Sequence, residues 1–585
     1  MFSRMAEAFR PLLGALLTLL LALSPSALAF EQPESESGLA PKPLVKAQKQ
    51  MVVTAHPLAA EAALGTLRKG GSATDAGIAA QMVLNLVEPQ SSGIGGGVFI
   101  LTWDARMKRI ASYDGRETAP SVTTPELFID AAGNQLPKGK AIASGLSVGV
   151  PGALAALKLA HVRHGKLAWA DLFEPATALA RNGFPISPRL AKMLAEADPA
   201  TFTPDARAHF FDADGRPWPS GYKLKNQALA ETFATIAHEG PDAFYRGDNA
   251  RDIAAAVQND PRIPGSLSAK DLSSYRAKER EPVCVPYRAY RVCGAGPPSS
   301  GAVAVGQVLG LITPFDLGTA PAGAEAVHLI AEAERLALAD RGRYLADPDF
   351  VAVPVAGLLD AHYLAERRAL IDPARALEHV TAGTPPGTRA DARGRDATRE
   401  GAGTSQISIV DDAGNAFSMT TSIEFAFGAR SIVRGFLLNN QLTDFSFAAA
   451  DVDGRAIANR VEAGKRPRSS MSPTIVLGEG DALRYVLGSP GGPGIILFNL
   501  KALVALIDWG LDPAKAAALV NFGSNGRQLL LETGAEWDGL EAALRAKGHD
   551  VKRMDLTSGL HIVAVTPEGL EGGADPRREG IALGD

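Results

Sequence analysis

The stretch from Gly403 to Ser422 constrains this chain more than any other. Residues 405–410 and 416–422 read as strands and the polar residues 411–415 between them as a turn, so together they form a hairpin. If that turn closes the pair, Val410 faces Ala416, and counting outward places Thr404 opposite Ser422. A Gly403-Thr404 step at the mouth of such a hairpin suggests a chain that cuts itself. Once the bond before Thr404 is broken, a free α-amine lies beside that residue's own hydroxyl, so nucleophile and general base come from one residue and no histidine is needed. Alone, Gly403-Thr404-Ser405 reads as a loop entering a strand, and Ser422 serves as well as an ordinary strand serine. The neighbouring motifs have to carry the case.

The chain has 585 residues, 46% hydrophobic and 21% charged, which is enough to bury one large core or two medium ones and excludes wholesale disorder. Residues 1–29 carry Arg4 and Arg10, an apolar run over 12–23 and then Ala27-Leu28-Ala29, the order of a cleavable secretory signal. The run is short for a bilayer span, and an uncleaved anchor is the competing reading. Export to a periplasm or the extracellular space is expected. Removal of the signal leaves a net charge of about −6. That balance argues against nucleic acid and suits a small polar metabolite. The two cysteines, Cys284 and Cys293, flank a plausible strand-turn-strand. In an oxidising compartment a structural disulfide across that turn is expected; two cysteines alone make a poor metal site.

Residues 51–89 read as two helices split by Gly70-Gly71, the second capped by Ser72 with Asp75 three residues on. The glycine-rich run 91–97 precedes an apolar strand but lacks a following Gly-Lys-Ser/Thr, so it reads as close backbone packing rather than a phosphate cradle. Alanine and leucine recur at helical spacing through 150–380, as at 154–162 and 324–338. Between 374 and 403 large apolar residues thin out, which reads as a mobile leader ahead of Thr404 or a simple linker. Beyond 404, strands such as 484–487 and 560–565 alternate with helices near 495–507 and 537–546. The mixture favours a layered α/β sandwich.

Four further motifs carry chemistry. In Gly488-Ser489-Pro490-Gly491-Gly492, unobstructed backbone N–H groups can form an oxyanion hole. Arg116, in Asp114-Gly115-Arg116-Glu117, can clamp a carboxylate through two hydrogen bonds, and Ser469 and Ser470 offer hydroxyls to the same anion. The run 439–445, Asn-Asn-Gln-Leu-Thr-Asp-Phe, supplies an amide and an acid for an ammonium group. Such a set receives a zwitterion, as a free amino acid head group is. A competing nucleophile, Ser147 in Gly145-Leu146-Ser147-Val148-Gly149, matches G-x-S-x-G, but 138–144 is a poor strand and Pro151-Gly152 delays the helix.

These motifs, with Val87-Glu88-Pro89-Gln90-Ser91-Ser92-Gly93, Pro297-Pro298-Ser299-Ser300-Gly301 and Arg466-Pro467-Arg468-Ser469-Ser470-Met471, closely resemble those of the gamma-glutamyltransferases. The likeness runs from about residue 45 to the C-terminus. It implies the four-layer αββα sandwich of the N-terminal nucleophile hydrolases. It also implies autoproteolysis between Gly403 and Thr404, giving a large subunit of 30–403 and a small one of 404–585 that stay together as a heterodimer. Thr404 is then the nucleophile toward glutathione and related γ-glutamyl donors, with water, amino acids or peptides as acceptors and no metal or organic cofactor. By the same resemblance Arg116, Ser469 and Ser470 hold the donor α-carboxylate, Asp444, Glu424 and Gln441 its α-amino group, and Gly491 and Gly492 the oxyanion. Ser405 and Ser422 stand where the family commonly has threonine, Glu424 where its best-known members have asparagine, and Pro493-Gly494 where a polar residue and arginine are frequent. Residues 445–464 hold no tyrosine or tryptophan for an aromatic lid. A sibling acylase acting on cephalosporins or poly-γ-glutamate, and an exported binding protein that is never processed, are the alternatives.

Overall fold

The polar turn at Asp411 organises the fold around it. The Asp411 carboxylate accepts from the backbone N–H of Ala413 at 3.0 Å and Asn415 at 2.9 Å, Asp411 N donates to Asn415 O, and Gly414 takes a left-handed φ of 78°. The flanking segments become the antiparallel strands Gly403–Val410 and Ala416–Glu424, with Val410 opposite Ala416 and Thr404 opposite Ser422, the register expected from the sequence. In this computed structural model residues 33–389, 393–398 and 400–585 are described; the expected secretory segment 1–29 lies outside them.

The hairpin lies in the middle of a seven-stranded sheet. Its strands run Ile581–Gly584, Met51–Thr54, Gly403–Val410, Ala416–Glu424, Gly97–Asp104, Arg109–Gly115 and Lys278–Arg280 across the sheet, every pair antiparallel. A second seven-stranded antiparallel sheet includes Leu483–Gly488 and His561–Thr566 at its centre and ends in Tyr290–Gly294 and Val283–Tyr287. The sheets pack face to face through Met51, Val53, Leu101, Val410, Ile475, Val486 and Val563. Helices Pro57–Arg68, Ala73–Val87 and Ala153–His164 cover the outer face of the first sheet; Gly301–Ile312, Gly494–Ile507 and Pro513–Ala518 cover the second. The result is the αββα sandwich.

Local chemistry matches much of the sequence pattern. Ser72 and Asp75 form a reciprocal capping box, and the turn's Asp411 also accepts from Ala73 N at 3.1 Å, tying hairpin to helix. Cys284 and Cys293 face each other on adjacent strands and are joined as a disulfide. One expectation fails: Met51–Thr54 is a strand, not the start of a helix. All four of its side chains are buried, as a strand covered on both faces requires, and such a short apolar run has no period that separates strand from helix. Between 374 and 402 the described residues form neither helix nor strand, yet Asp396 and Glu400 are buried. Among the described residues no helix is long and apolar enough to cross a membrane.

Candidate active site

Thr404 is buried at the head of its strand, where the ladder shifts register between Gly403 and Thr404. Across the hairpin, Ser422 Oγ donates at 2.5 Å to the carbonyl oxygen of Gly403 and accepts from Glu424 N at 2.8 Å. Ser422 therefore holds the carbonyl ahead of Thr404 rather than the threonine oxygen. The strand ends in strain: Glu424 has a φ of 80°, a left-handed conformation that costs about 1–3 kcal/mol outside glycine. Its carboxylate is held by Gly401 N at 2.7 Å and by Asn440 Nδ2, while Asn440 Oδ1 accepts from Phe425 N at 2.9 Å. A Cβ at Gly403 would come within 2.6 Å of Glu424 O, so only glycine fits before Thr404.

Thr404, Ser422, Glu424, Gln441, Asp444, Arg116, Ser469, Ser470 and Gly492 all line one cavity, so the sequence motifs converge; its free volume is only about 10 Å³. Arg116 is wholly buried and donates to Asp444, to Arg468 O at 2.9 Å and to Pro467 O at 3.1 Å. Gln441 Nε2 donates to the same Asp444 oxygen at 3.0 Å. The other Asp444 oxygen, Oδ1, and Gln441 Oε1 are buried without a hydrogen-bond donor among the described residues. Burial raises the Asp444 carboxyl, with Arg116 opposing. Burial also pushes the neighbouring Glu117 up to about 8 against the pull of Arg116.

The loop Ser469-Ser470-Met471 is braced by the Pro297–Gly301 motif: Ser300 donates to Ser469 O through N and Oγ, both at 2.7 Å, and Ser299 Oγ to Met471 O at 2.7 Å. Gly491 and Gly492 have φ values of 131° and 56°, and neither N–H donates a hydrogen bond among the described residues. A Cβ at Gly492 would lie 2.1 Å from Gly401 O, so the segment before Thr404 crosses directly over this turn.

Glu400 and Arg341 were not singled out in the sequence, and Arg468 stood there only inside a motif. Glu400 enters the cavity, where Ser470 Oγ donates to it at 2.5 Å, Arg468 Nε at 3.3 Å, and Arg341 Nη2 as well. Burial opposes its charge, yet Arg341 and Arg468 hold its carboxyl at about 2. Arg341 and Arg468 lie far from Glu400 in sequence, and nothing local in the sequence marks either as its partner. Behind the strand, Ser405 Oγ donates to Glu88 at 2.7 Å, and Glu88 pairs with Arg189 at 2.7 Å. Ser147 is elsewhere and structural: its buried hydroxyl is shared between Ile142 O and Ser144 O, both at 3.0 Å, in a short 3-10 turn.

Residues 59–585 match the sequence profile of the family described as gamma-glutamyltranspeptidase. The chain is 35% identical over 548 residues to the glutathione hydrolase proenzyme of Bacillus subtilis (strain 168), covering 91% of each chain. It is also 35% identical over 545 residues to that of Escherichia coli (strain K12), again covering 91% of each. Its fold matches the crystal structure of a cephalosporin acylase from Bacillus halodurans with a TM-score of 0.82 at 28% identity, over 95% of this chain and 99% of that one. A threonine heading a central strand, a glycine turn beside it and a cavity lined by paired charges thus accompany similarity along most of the sequence: the chain belongs to the gamma-glutamyltranspeptidase family.

Proposed function

We propose that this chain is a precursor that cleaves itself between Gly403 and Thr404 and then acts as a glutathione hydrolase and gamma-glutamyltransferase. In the first stage Thr404 Oγ attacks the Gly403 carbonyl carbon. The Gly403–Thr404 amide becomes an ester on that oxygen, the α-amine is released, and water hydrolyses the ester to leave a Gly403 carboxylate. The Ser422 hydroxyl is aimed at the oxygen on which negative charge develops. In the second stage the amine of Thr404, with an unperturbed pKa of about 7.7–8.0, takes the hydroxyl proton and passes it to the leaving amine. The γ-glutamyl ester then goes to water or to an amino acid or peptide amine. Subunits 30–403 and 404–585 remain one assembly, and the N-terminal segment with the disulfide supports an exported enzyme.

The observation that carries the donor class is the unfilled acceptor pair Asp444 Oδ1 and Gln441 Oε1 in a cavity next to Thr404. Buried acceptors without donors are costly, and the ammonium of a γ-glutamyl head group supplies the missing hydrogens. Arg116, Ser469 and Ser470 are then left for its carboxylate, Glu424 supports the ammonium, and Gly491 and Gly492 face the oxyanion. The likeness to a cephalosporin acylase favours a second reading, an acylase acting on cephalosporin side chains. Mass analysis of wild type and Thr404→Ala, with turnover of a γ-glutamyl anilide and a glutaryl anilide, separates them. We expect two fragments and preference for the γ-glutamyl compound from wild type, and one inert chain from the variant. Preference for the glutaryl compound selects the acylase; an unclipped wild type at full activity overturns both.

A further inference from the structure

The strand that carries Ser422 and Glu424 runs into a pinned turn, and beyond that turn opens a second, much larger cavity. Phe427 N donates to Gln90 O at 2.9 Å, the Phe427 ring packs edge to face on Phe202 and Phe210, and Thr203 N donates to Arg430 O at 2.9 Å. Phe425 stands between the two cavities. A Cβ at Gly403 would meet its carbonyl oxygen at 3.2 Å, and Phe425 also lines the cavity beyond, whose volume is about 1030 Å³. The two spaces therefore share a wall one residue from Glu424.

The larger cavity combines apolar walls about Ile142 and Phe425 with four cations, Lys138, Lys140, Arg262 and Arg430, and no acidic side chain lines it among the described residues. Arg262 is already committed: Nε donates to Asp260 Oδ1 at 2.9 Å and Nη1 to Thr201 O at 2.6 Å. Arg430 makes no such ion pair among the described residues. Its Nη1 donates to the Thr201 hydroxyl, its guanidinium lies 5.6 Å from the centre of the Phe202 ring, and its buried Nε has no acceptor. Burial and then the charge of Arg262 lower this guanidinium, with Asp198 opposing. Arg430 is also held at a left-handed φ of 55°, a conformation that bulky residues rarely take away from functional sites. A cation without a counter-charge, beside a second cation in an apolar cavity, suits an anion on an apolar or peptide body and repels a cationic ligand.

We propose that this cavity receives the peptide that leaves or accepts the γ-glutamyl group, and that Arg430, with Lys140, binds that peptide's terminal carboxylate. This deepens the reading of Thr404 as a gamma-glutamyl-transferring nucleophile and rests on it. The head group is held on one side of Phe425 and the carboxylate on the other, so the two ends of the amide being broken or made are fixed independently. Selection among acceptors then follows from charge: peptides with a free C-terminus are preferred over their amides.

Two measurements test it. With a γ-glutamyl anilide as donor, glycylglycine and its C-terminal amide are compared as acceptors. In processed Arg430→Met the ratio of KM for the acid to KM for the amide should rise about 10–100-fold over wild type, the range of a lost charge-assisted hydrogen bond, and Arg430→Lys should recover part of it. In the unprocessed Thr404→Ala chain, N-benzoylglycine should raise the melting temperature saturably and N-benzoylglycinamide should not. Adding Arg430→Met, or Lys140→Met at its exposed position, should raise the half-saturating concentration at least tenfold. An unchanged KM ratio overturns the proposal, and so does the same response, or none, to the benzoylglycine acid and amide. If Arg430→Met is not processed, Lys140→Met takes its place in the kinetic series. If wild type does not turn over the γ-glutamyl anilide, the functional reading falls, whereas the benzoylglycine series still decides whether the cavity takes a carboxylate.

Discussion

Ser422 Oγ points its proton at the carbonyl oxygen of Gly403, 2.5 Å away across the hairpin. A donor already in place on the bond ahead of Thr404 needs no rearrangement when that oxygen becomes charged. Replacement by alanine should slow self-cleavage about 10²–10³-fold, the cost of one such donor, while Ser422→Thr should restore it. The time course of fragment appearance on a denaturing gel checks this; equal rates for Ser422→Ala and wild type would exclude the role.

Gly492 combines a φ of 56° with a Cβ position 2.1 Å from Gly401 O. Gly492→Ala therefore strains its own backbone and displaces the leader. Loss of at least tenfold in cleavage rate is expected, with an unchanged far-UV spectrum separating this local effect from unfolding. A variant that cleaves at the wild-type rate would contradict the observed crossing.

Glu117 makes stability depend on pH. Because burial raises it to about 8, the folded chain keeps a proton that the unfolded chain loses near the ordinary 4.5. The stability it contributes is complete below that lower value and is lost as pH rises through 8. Glu117→Gln, which imitates the neutral acid, should flatten denaturation midpoints over this window and exceed wild type at its alkaline end. Identical slopes would show that Glu117 is ionised in the fold.

Joining Cys284 to Cys293 closes a short loop on adjacent strands. Replacing both by serine should cost about 2–3 kcal/mol in urea unfolding and leave turnover intact, since the bond lies outside the catalytic cavity. A variant with wild-type stability would make the disulfide energetically idle.

The sequence resolved what local chemistry determines. Asp411, Gly414 and Asn415 define the turn, and the turn fixes the partner of Thr404; Ser72 and Asp75 announce their helix. Long-range electrostatics escaped it. Glu400 lies four residues before Thr404, in a stretch whose composition reads as mobile, and only folding brings it to Arg341 and Arg468. The same holds for Met51–Thr54, whose strand character comes from neighbours on both sides rather than from its own pattern. Glu424, unusual among the motifs, has its strained backbone opposite Gly403, where the ladder shifts register, and no side-chain pattern encodes that shift.

Under the proposed scission, the first sheet alternates between the two resulting pieces of the chain. Ile581–Gly584 and the hairpin come from one, Met51–Thr54, Gly97–Asp104 and the strands beyond from the other. If the bond before Thr404 is cut as proposed, neither piece retains neighbours for all its own strands, and heat or denaturant must dismantle both together. What had been a single-chain search becomes a meeting of two incomplete partners that cannot remake their lost amide. The working enzyme's durability is then set by how slowly it opens, because the route by which it was first assembled has closed behind it.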